Sequence, residues 1–422
     1  MMWSKTAALA GFALSGVLVT ATAQPSGGNL SRVLPETVGV SSQRLELVSE
    51  MLRQHVDDGR VAGLVAGMLH EGKLVYLESM GWQVLSESPM RDDSLFQIRS
   101  MSKPMTAVAA LQLIERGELG LDDPVAKYIP SFDSVRVFSD PVAQDFAATR
   151  APSRAITVAD LLKNTAGLSH RFSALYRENG VRSRGDTLAE LSDKVAAVPL
   201  IGDPGEQWVY SISLTVLGRV VEVVSGMAFD EYLAQEMFAP LGLADTGFFV
   251  PPESQSRLAR AYAVGSEGLQ LVPPMVIPIT DDPPLKEGAA GIVSSAPDYL
   301  RFLQMLLNGG ELEGARVLQG ETVAAMTRNQ IEPRLMPFGT NPAQPMLDRG
   351  WGYGVAVVVD AEKSAYATHN GEFGWSGSLG TFAWADPVTN TALVLMLQVQ
   401  PAGAHALAQK FKALAAQAII EK

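Results

Sequence analysis

There is no cysteine among the 422 residues. That excludes disulfides, thiolate nucleophiles, zinc–cysteine sites and lipid anchoring through an N-terminal cysteine. Histidine is scarce, with five copies and no HExxH arrangement, so a gluzincin-type metal site is excluded and neither a metal nor a cofactor is expected. Basic charge is outweighed: 33 Lys and Arg stand against 45 Asp and Glu, a formal net charge of −12. Nucleic-acid binding draws its affinity from Lys and Arg neutralising phosphates, and no basic cluster offsets the deficit, so no nucleic-acid partner is expected. Beyond the first 31 residues no stretch of about 18 uncharged apolar residues occurs, so nothing there is expected to span a membrane. Internal repeats, heptads and low-complexity tracts are also absent.

What the chain has is apolar content, 47% of its residues, enough to build a full core at this length. Lys5 is the only charge in the first 31 residues, and an apolar run from Ala7 to Val19 leads to Ala21-Thr22-Ala23. A positive start, a short apolar run and an A-x-A site predict a cleaved signal over 1–23, a mature chain from about Gln24, and a periplasmic or secreted destination.

Ser41 and Ser42 open an amphipathic helix that Gly59 closes. Ala62 to Leu69 and Leu74 to Leu77 read as a hairpin around His70-Glu71-Gly72-Lys73. A dense apolar helix is expected from Ser100 to Arg116, with Pro104 in its first turn, where a missing N–H costs least. From about 118 to 290 the signals are helical and loop-like: a capped helix at Thr157–Leu162, and helices over Ser211–Val224 and Phe229–Leu241, with Arg260–Pro278 ambiguous. Pro297–Leu307 is again helical. Strands are then expected at Tyr353–Val359, Ser364–Thr368, Leu379–Trp384 and Ala392–Val399, and a closing helix at Ala402–Ile420. Strands at both ends with helices between predict one antiparallel sheet built from both termini, carrying a helical insertion.

Three places carry chemistry. In Ser100-Met101-Ser102-Lys103 the Ser and Lys share a helix face. Of the eleven lysines, Lys103 alone has a Ser three positions before it. A serine hydroxyl is a weak nucleophile that needs a neighbouring base, and a buried lysine can lose its proton because burial disfavours the charged form. The apolar helix behind this motif puts Lys103 at the mouth of a buried element. Tyr210-Ser211 opens another apolar helix; beside a lysine ammonium its phenol would have a lowered pKa and would shuttle the Ser100 proton. Trp375-Ser376-Gly377-Ser378 enters a strand, with a backbone N–H near Ser378 placed to meet an oxyanion. No Gly-x-Ser-x-Gly occurs, which excludes the nucleophile elbow of an α/β-hydrolase.

These three signals, in this order, resemble those of the serine β-lactamases and penicillin-binding proteins. Ile98–Lys103, Leu161–Leu168, Tyr210–Ser213, Gly288–Ile292 and Phe373–Gly377 resemble the class C β-lactamase-like hydrolases, and among them the family VIII carboxylesterases. The resemblance spans nearly the whole mature chain. It implies an α+β fold, an antiparallel sheet flanked by helices plus a helical region, forming one hydrolase domain over 24–422. It also implies Ser100 as nucleophile, Lys103 and Tyr210 together as base and later proton donor, and the N–H groups of Ser100 and Ser378 as the oxyanion hole. Which of Lys103 and Tyr210 takes the first proton stays open.

Two departures narrow the substrate. Ile212 stands where class C lactamases have Asn, and Trp375 where they have Lys. With both polar handles gone, Ile212, Trp375, Ser376 and Gly377 are expected to line a substrate site for a short, uncharged ester. A β-lactamase, a D-amino-acid peptidase or amidase, and an acyltransferase are the alternatives on this fold, with a penicillin-binding sensor as the non-enzyme reading. Glu206, His369 and Glu372 are nearby polar residues that read best as solvated loop positions.

Overall fold

The computed structural model describes residues 30–420 apart from 184, 211, 267, 274–278, 341–344 and 401–403. The signal expected at 1–23 lies outside the described residues.

Strands β1 (Gly63–His70) and β2 (Lys73–Val84) form a hairpin. Glu71 and Gly72 turn it with positive φ of 52° and 71°, the geometry that matches the twist of paired strands. With β3 (Ser88–Pro89), β4 (Arg349–Trp351), β5 (Ala356–Val358), β6 (Phe373–Ser376), β7 (Phe382–Asp386) and β8 (Thr391–Leu397) they make an eight-stranded sheet in the order β4-β5-β6-β7-β8-β1-β2-β3. The pairs within it are antiparallel. Strands from near the two ends of the chain therefore meet at the centre, with Leu64 opposite Leu397.

Every residue of β1 is buried because helices cover both faces of the sheet. Successive side chains on a strand point to opposite faces. Leu64, Ala66 and Met68 accordingly join one core with α1 (Ser42–Asp57) and the C-terminal helix at Ala404–Ala418. Val65 and Leu69 join the other, with α2 (Ser102–Glu115) and the helix Ala296–Leu307. Gly67 is where that last helix presses closest: a Cβ there would lie 2.8 Å from the Leu300 side chain. Between the strands at 63–89 and 349–397 the chain runs mainly through helices and loops. Val158–Lys163 is held by a Thr157–Asp160 capping box and Ser213–Ser225 is closed by left-handed Gly226.

The structure revises several sequence expectations. Ser364–Thr368 is not a strand: the link from β5 to β6 is a 3₁₀ turn, Ala361–Lys363, followed by bends. That exposed link has no apolar face to bury, so nothing draws it into the sheet. The ambiguous stretch after Arg260 contains a small hairpin, Tyr262–Gly265 with Gly268–Leu271; its end at 274–278 lies outside the described residues. Phe229–Leu241 is helical but passes through a wider π turn at Ala234–Phe238. No helix among the described residues is long and apolar enough to cross a membrane.

Candidate active site

The expected helix beginning at Ser100 is a 3₁₀ turn, Arg99–Met101, that feeds α2 at Ser102. Arg99 holds a left-handed φ of 51°, a conformation costing roughly 1–2 kcal/mol for an L-residue. The turn is pinned from several sides. The Ser102 hydroxyl donates to the Arg99 carbonyl at 2.7 Å and accepts from the Ile292 N–H at 3.1 Å. The Tyr299 hydroxyl donates to the Met101 carbonyl at 2.9 Å.

The end of β6 closes onto this turn. Thr381 donates to the Ile98 carbonyl at 3.2 Å. A side chain at Gly377 would collide with that same carbonyl and with the Thr381 hydroxyl, so only glycine lets the two segments approach. Ser378 follows on an exposed turn beside the cleft. Ser100, Tyr210, Trp375, Ser376, Gly377 and Ser378 thus line one cleft of about 640 Å³.

Lys103 is 1% exposed. Its Nζ donates to the Ala289 carbonyl at 2.8 Å and lies 4.4 Å from the centre of the Tyr210 ring. Burial holds its pKa well below the ordinary lysine value, with the Arg171 guanidinium acting in the same direction. The Tyr210 hydroxyl is hydrogen-bonded to the Ser100 side chain, and burial raises its pKa above the ordinary phenol value. This is opposite to the expected lowered phenol, because burial of the ring outweighs the hydrogen bonds from Ser100 and Trp375 and the Arg171 charge that lower it.

Trp375 Nε1 donates to Tyr210 Oη at 2.8 Å. Trp208 and His170 stack against the Tyr210 ring at centroid distances of 5.8 and 5.9 Å, and Trp351 meets Trp375 edge-on at 4.8 Å. His170 also lines the cleft, and burial lowers its pKa to about 4. Among the described residues no group of three or more His, Asp or Glu is placed to hold a metal.

Other expected residues fall differently. Ile212 is 0% exposed, sits in the core at the head of Ser213–Ser225 and does not line the cleft. Glu206 pairs with Arg334 on the surface, and exposed His369 bonds Asp386 at 2.7 Å. Glu372 is not a solvated loop residue: it is 2% exposed and paired with Lys412 at 2.6 Å across the C-terminal helix. Missed by sequence reasoning were Trp208, Trp351, His170 and the Ala289 carbonyl. Trp208 lies two residues before Tyr210, His170 just beyond the Leu161–Leu168 motif, and Ala289 inside the Gly288–Ile292 motif.

A two-sided antiparallel sheet, with a serine at the head of a buried helix and a buried lysine one turn on, defines a serine hydrolase of the β-lactamase fold. The chain belongs to the beta-lactamase family, which matches residues 48–417. It is 30% identical over 377 residues to Esterase EstB of Burkholderia gladioli, covering 81% of this chain and 87% of that protein. It is 26% identical over 355 residues to Acyltransferase calJ of Penicillium decumbens, covering 79% and 82%. Among solved structures, EstCE1, described as a hydrolase with promiscuous acyltransferase activity, superposes with a TM-score of 0.76 at 25% identity, covering 90% of this chain and 98% of that one. The resemblance to family VIII carboxylesterases agrees with these relatives.

Proposed function

We propose that the protein hydrolyses short, uncharged carboxylic esters through an acyl-enzyme on Ser100, and that the expected leader directs it out of the cytoplasm. The observation that carries the reading is the buried Lys103 amine lying against Tyr210, whose hydroxyl is bonded to Ser100. At neutral pH burial favours Lys103 as a free amine and Tyr210 as a protonated phenol. Lys103 is therefore the proton acceptor, and Tyr210 the group that relays the proton from Ser100.

Ser100 Oγ forms a bond to the ester carbonyl carbon while its proton passes toward Lys103. The carbonyl oxygen takes the negative charge and is met by the N–H groups of Ser100 and Ser378. Collapse breaks the bond to the alkoxy oxygen, which leaves with the proton relayed back through Tyr210. Water then gives a proton to the same relay as its oxygen bonds to the acyl carbon; the bond from that carbon to Ser100 Oγ breaks, Oγ takes the proton back from the relay, and the acid leaves. The cleft wall of Trp208 and Trp375, with Trp351 packed behind Trp375, suits an apolar acyl or alkoxy group. No ammonium stands at position 375 to hold a substrate carboxylate.

The relatives named for acyl transfer, and a cleft of about 640 Å³, support a second reading in which an alcohol replaces water as acceptor. Measuring p-nitrophenyl esters of graded acyl length beside nitrocefin, with and without an added alcohol, tests both. A larger kcat/KM for nitrocefin than for p-nitrophenyl butyrate would replace the ester reading with a β-lactamase. New ester formed from the added alcohol would establish acyl transfer.

A further inference from the structure

Behind the lysine lies a charged cluster that the proposed chemistry does not use. Glu287 is 1% exposed, and both its oxygens are taken by guanidinium groups: Arg171 at 3.1 Å and Arg182 at 2.6 Å. Burying three charges is costly, and such a cluster is commonly no more stable than apolar packing of the same volume. Its location gives it a use.

Glu287 begins the turn that ends at Gly291. Its carbonyl accepts from the Ala290 N–H at 3.0 Å and the Gly291 N–H at 2.7 Å. Within that turn the Ala289 carbonyl accepts from Lys103, and the Ala289 N–H donates to Thr215 Oγ1 at 3.2 Å. Gly288 packs so tightly that a Cβ would lie 2.7 Å from the Leu214 carbonyl. The carboxylate of Glu287 is thus the anchor of the backbone segment that orients the lysine. Arg171 adjoins His170 in the cleft wall, so the clamp ties that wall to the same turn.

We propose that Glu287, clamped by Arg171 and Arg182, is a positioning residue that fixes the Ala289 carbonyl against Lys103 and sets the electrostatic field in which Lys103 accepts a proton. The inference rests on Ser100 being the nucleophile and Lys103 its base. The groups facing Lys103 are Tyr210, His170 and Arg171 from the cleft wall and Glu287 from the turn. Arg99, at the head of the lysine's own helix, shares the field of Arg171, Arg182 and Glu287. His170, with a pKa of about 4, is neutral near pH 7. The remaining field has opposing parts: Arg171 favours the free amine, Glu287 the ammonium.

The test is the rate at which a fluorophosphonate labels Ser100 as a function of pH, which reports nucleophile activation whatever the natural substrate. Arg171→Gln should move the acid limb up by about one pH unit and Glu287→Gln should move it down by a similar amount, the scale of one nearby charge. Arg171→Lys should restore the wild-type limb. A purely structural clamp would lower labelling amplitude and thermal stability without opposite displacements of the limb. An unchanged limb in folded Arg171→Gln protein, or a limb displaced as far in Arg171→Lys as in Arg171→Gln, would overturn the inference, even if Glu287→Gln fails to fold. Absence of labelling at Ser100 in the wild type would instead overturn the nucleophile assignment, and the inference with it.

Discussion

Trp375 donates its indole N–H to the phenol oxygen of Tyr210 at 2.8 Å. Position 375 is therefore more than an apolar wall where a lactamase keeps a lysine. It supplies one hydrogen bond to the phenol oxygen, which also accepts from the Ser100 hydroxyl. Stacking by Trp208 and His170 holds the ring while that bond holds its oxygen.

Trp375→Phe keeps an aromatic ring and removes the donor. Loss of a hydrogen bond to a largely buried acceptor costs about 1–2 kcal/mol; if that bond orients Tyr210 in the transition state, kcat/KM for p-nitrophenyl butyrate should fall about tenfold, and the smaller ring in the core should lower the unfolding midpoint as well. Steady-state kinetics with a thermal melt check this. An unchanged kcat/KM would mean that the bond has no part in turnover.

Ile212→Asn is expected to damage stability rather than redirect specificity. The side chain is fully buried in the core, and a carboxamide there has no water to bond. An unsatisfied buried amide costs about 1–3 kcal/mol by mutational measure, on top of lost packing. Denaturant unfolding should show the loss, and nitrocefin turnover should not improve. A stable variant with a raised rate on nitrocefin would restore Ile212 to the substrate site.

Lys103→Ala and Tyr210→Phe should each slow acylation by several orders of magnitude, and the double variant should be little slower than either, because members of one proton relay are not additive. The wild-type profile of kcat/KM against pH should have its acid limb far below the ordinary lysine range. Burial lowers the Lys103 pKa, so the active free amine persists as pH falls until that depressed value is crossed. Any loss from phenol ionisation should come above the ordinary tyrosine range, since burial raises Tyr210. Multiplying losses in the double variant, or an acid limb near the ordinary lysine value, would contradict the relay.

Gly377→Ala tests the closure of β6 on the nucleophile turn. The added methyl has to displace the Ile98 carbonyl or the Thr381 hydroxyl, and forcing a methyl into a tight site costs about 1–3 kcal/mol. A shift of the neighbouring N–H groups should lower kcat about a hundredfold or more, in line with loss of an oxyanion donor. Single-turnover acylation would separate this from weakened binding. A wild-type rate would show that the turn tolerates separation.

Local chemistry made much of this molecule legible in its sequence. The β1–β2 hairpin followed from apolar runs around Glu71-Gly72, and the buried helix behind Ser100 from its nearly all-apolar stretch Ala107–Ile114. Ser100, Lys103 and Tyr210 drew notice because each stands near the head of an apolar segment, and the structure brings their side chains together. What escaped was set by distance along the chain. Lys103 and Ala289 are 186 positions apart, and neither residue signals the other. Glu372 looked like a polar loop residue because its partner Lys412 lies on a helix 40 positions away. Ile212 was misplaced for a different reason: a residue beside a reactive tyrosine can point inward, and helical phase near a cap cannot be fixed from composition alone.

The pairing of β1 with β8 also orders events during synthesis. The serine turn emerges early, but Gly377 and Ser378 arrive almost 280 residues later, and Leu64 finds its partner only when Leu397 has been made. Long-range pairing of this kind forms late in folding. A nascent chain therefore carries the Ser100 turn without the strand end that closes onto it. The last strands act as an assembly lock, so that the cleft around Ser100 takes its shape only once they have joined the sheet.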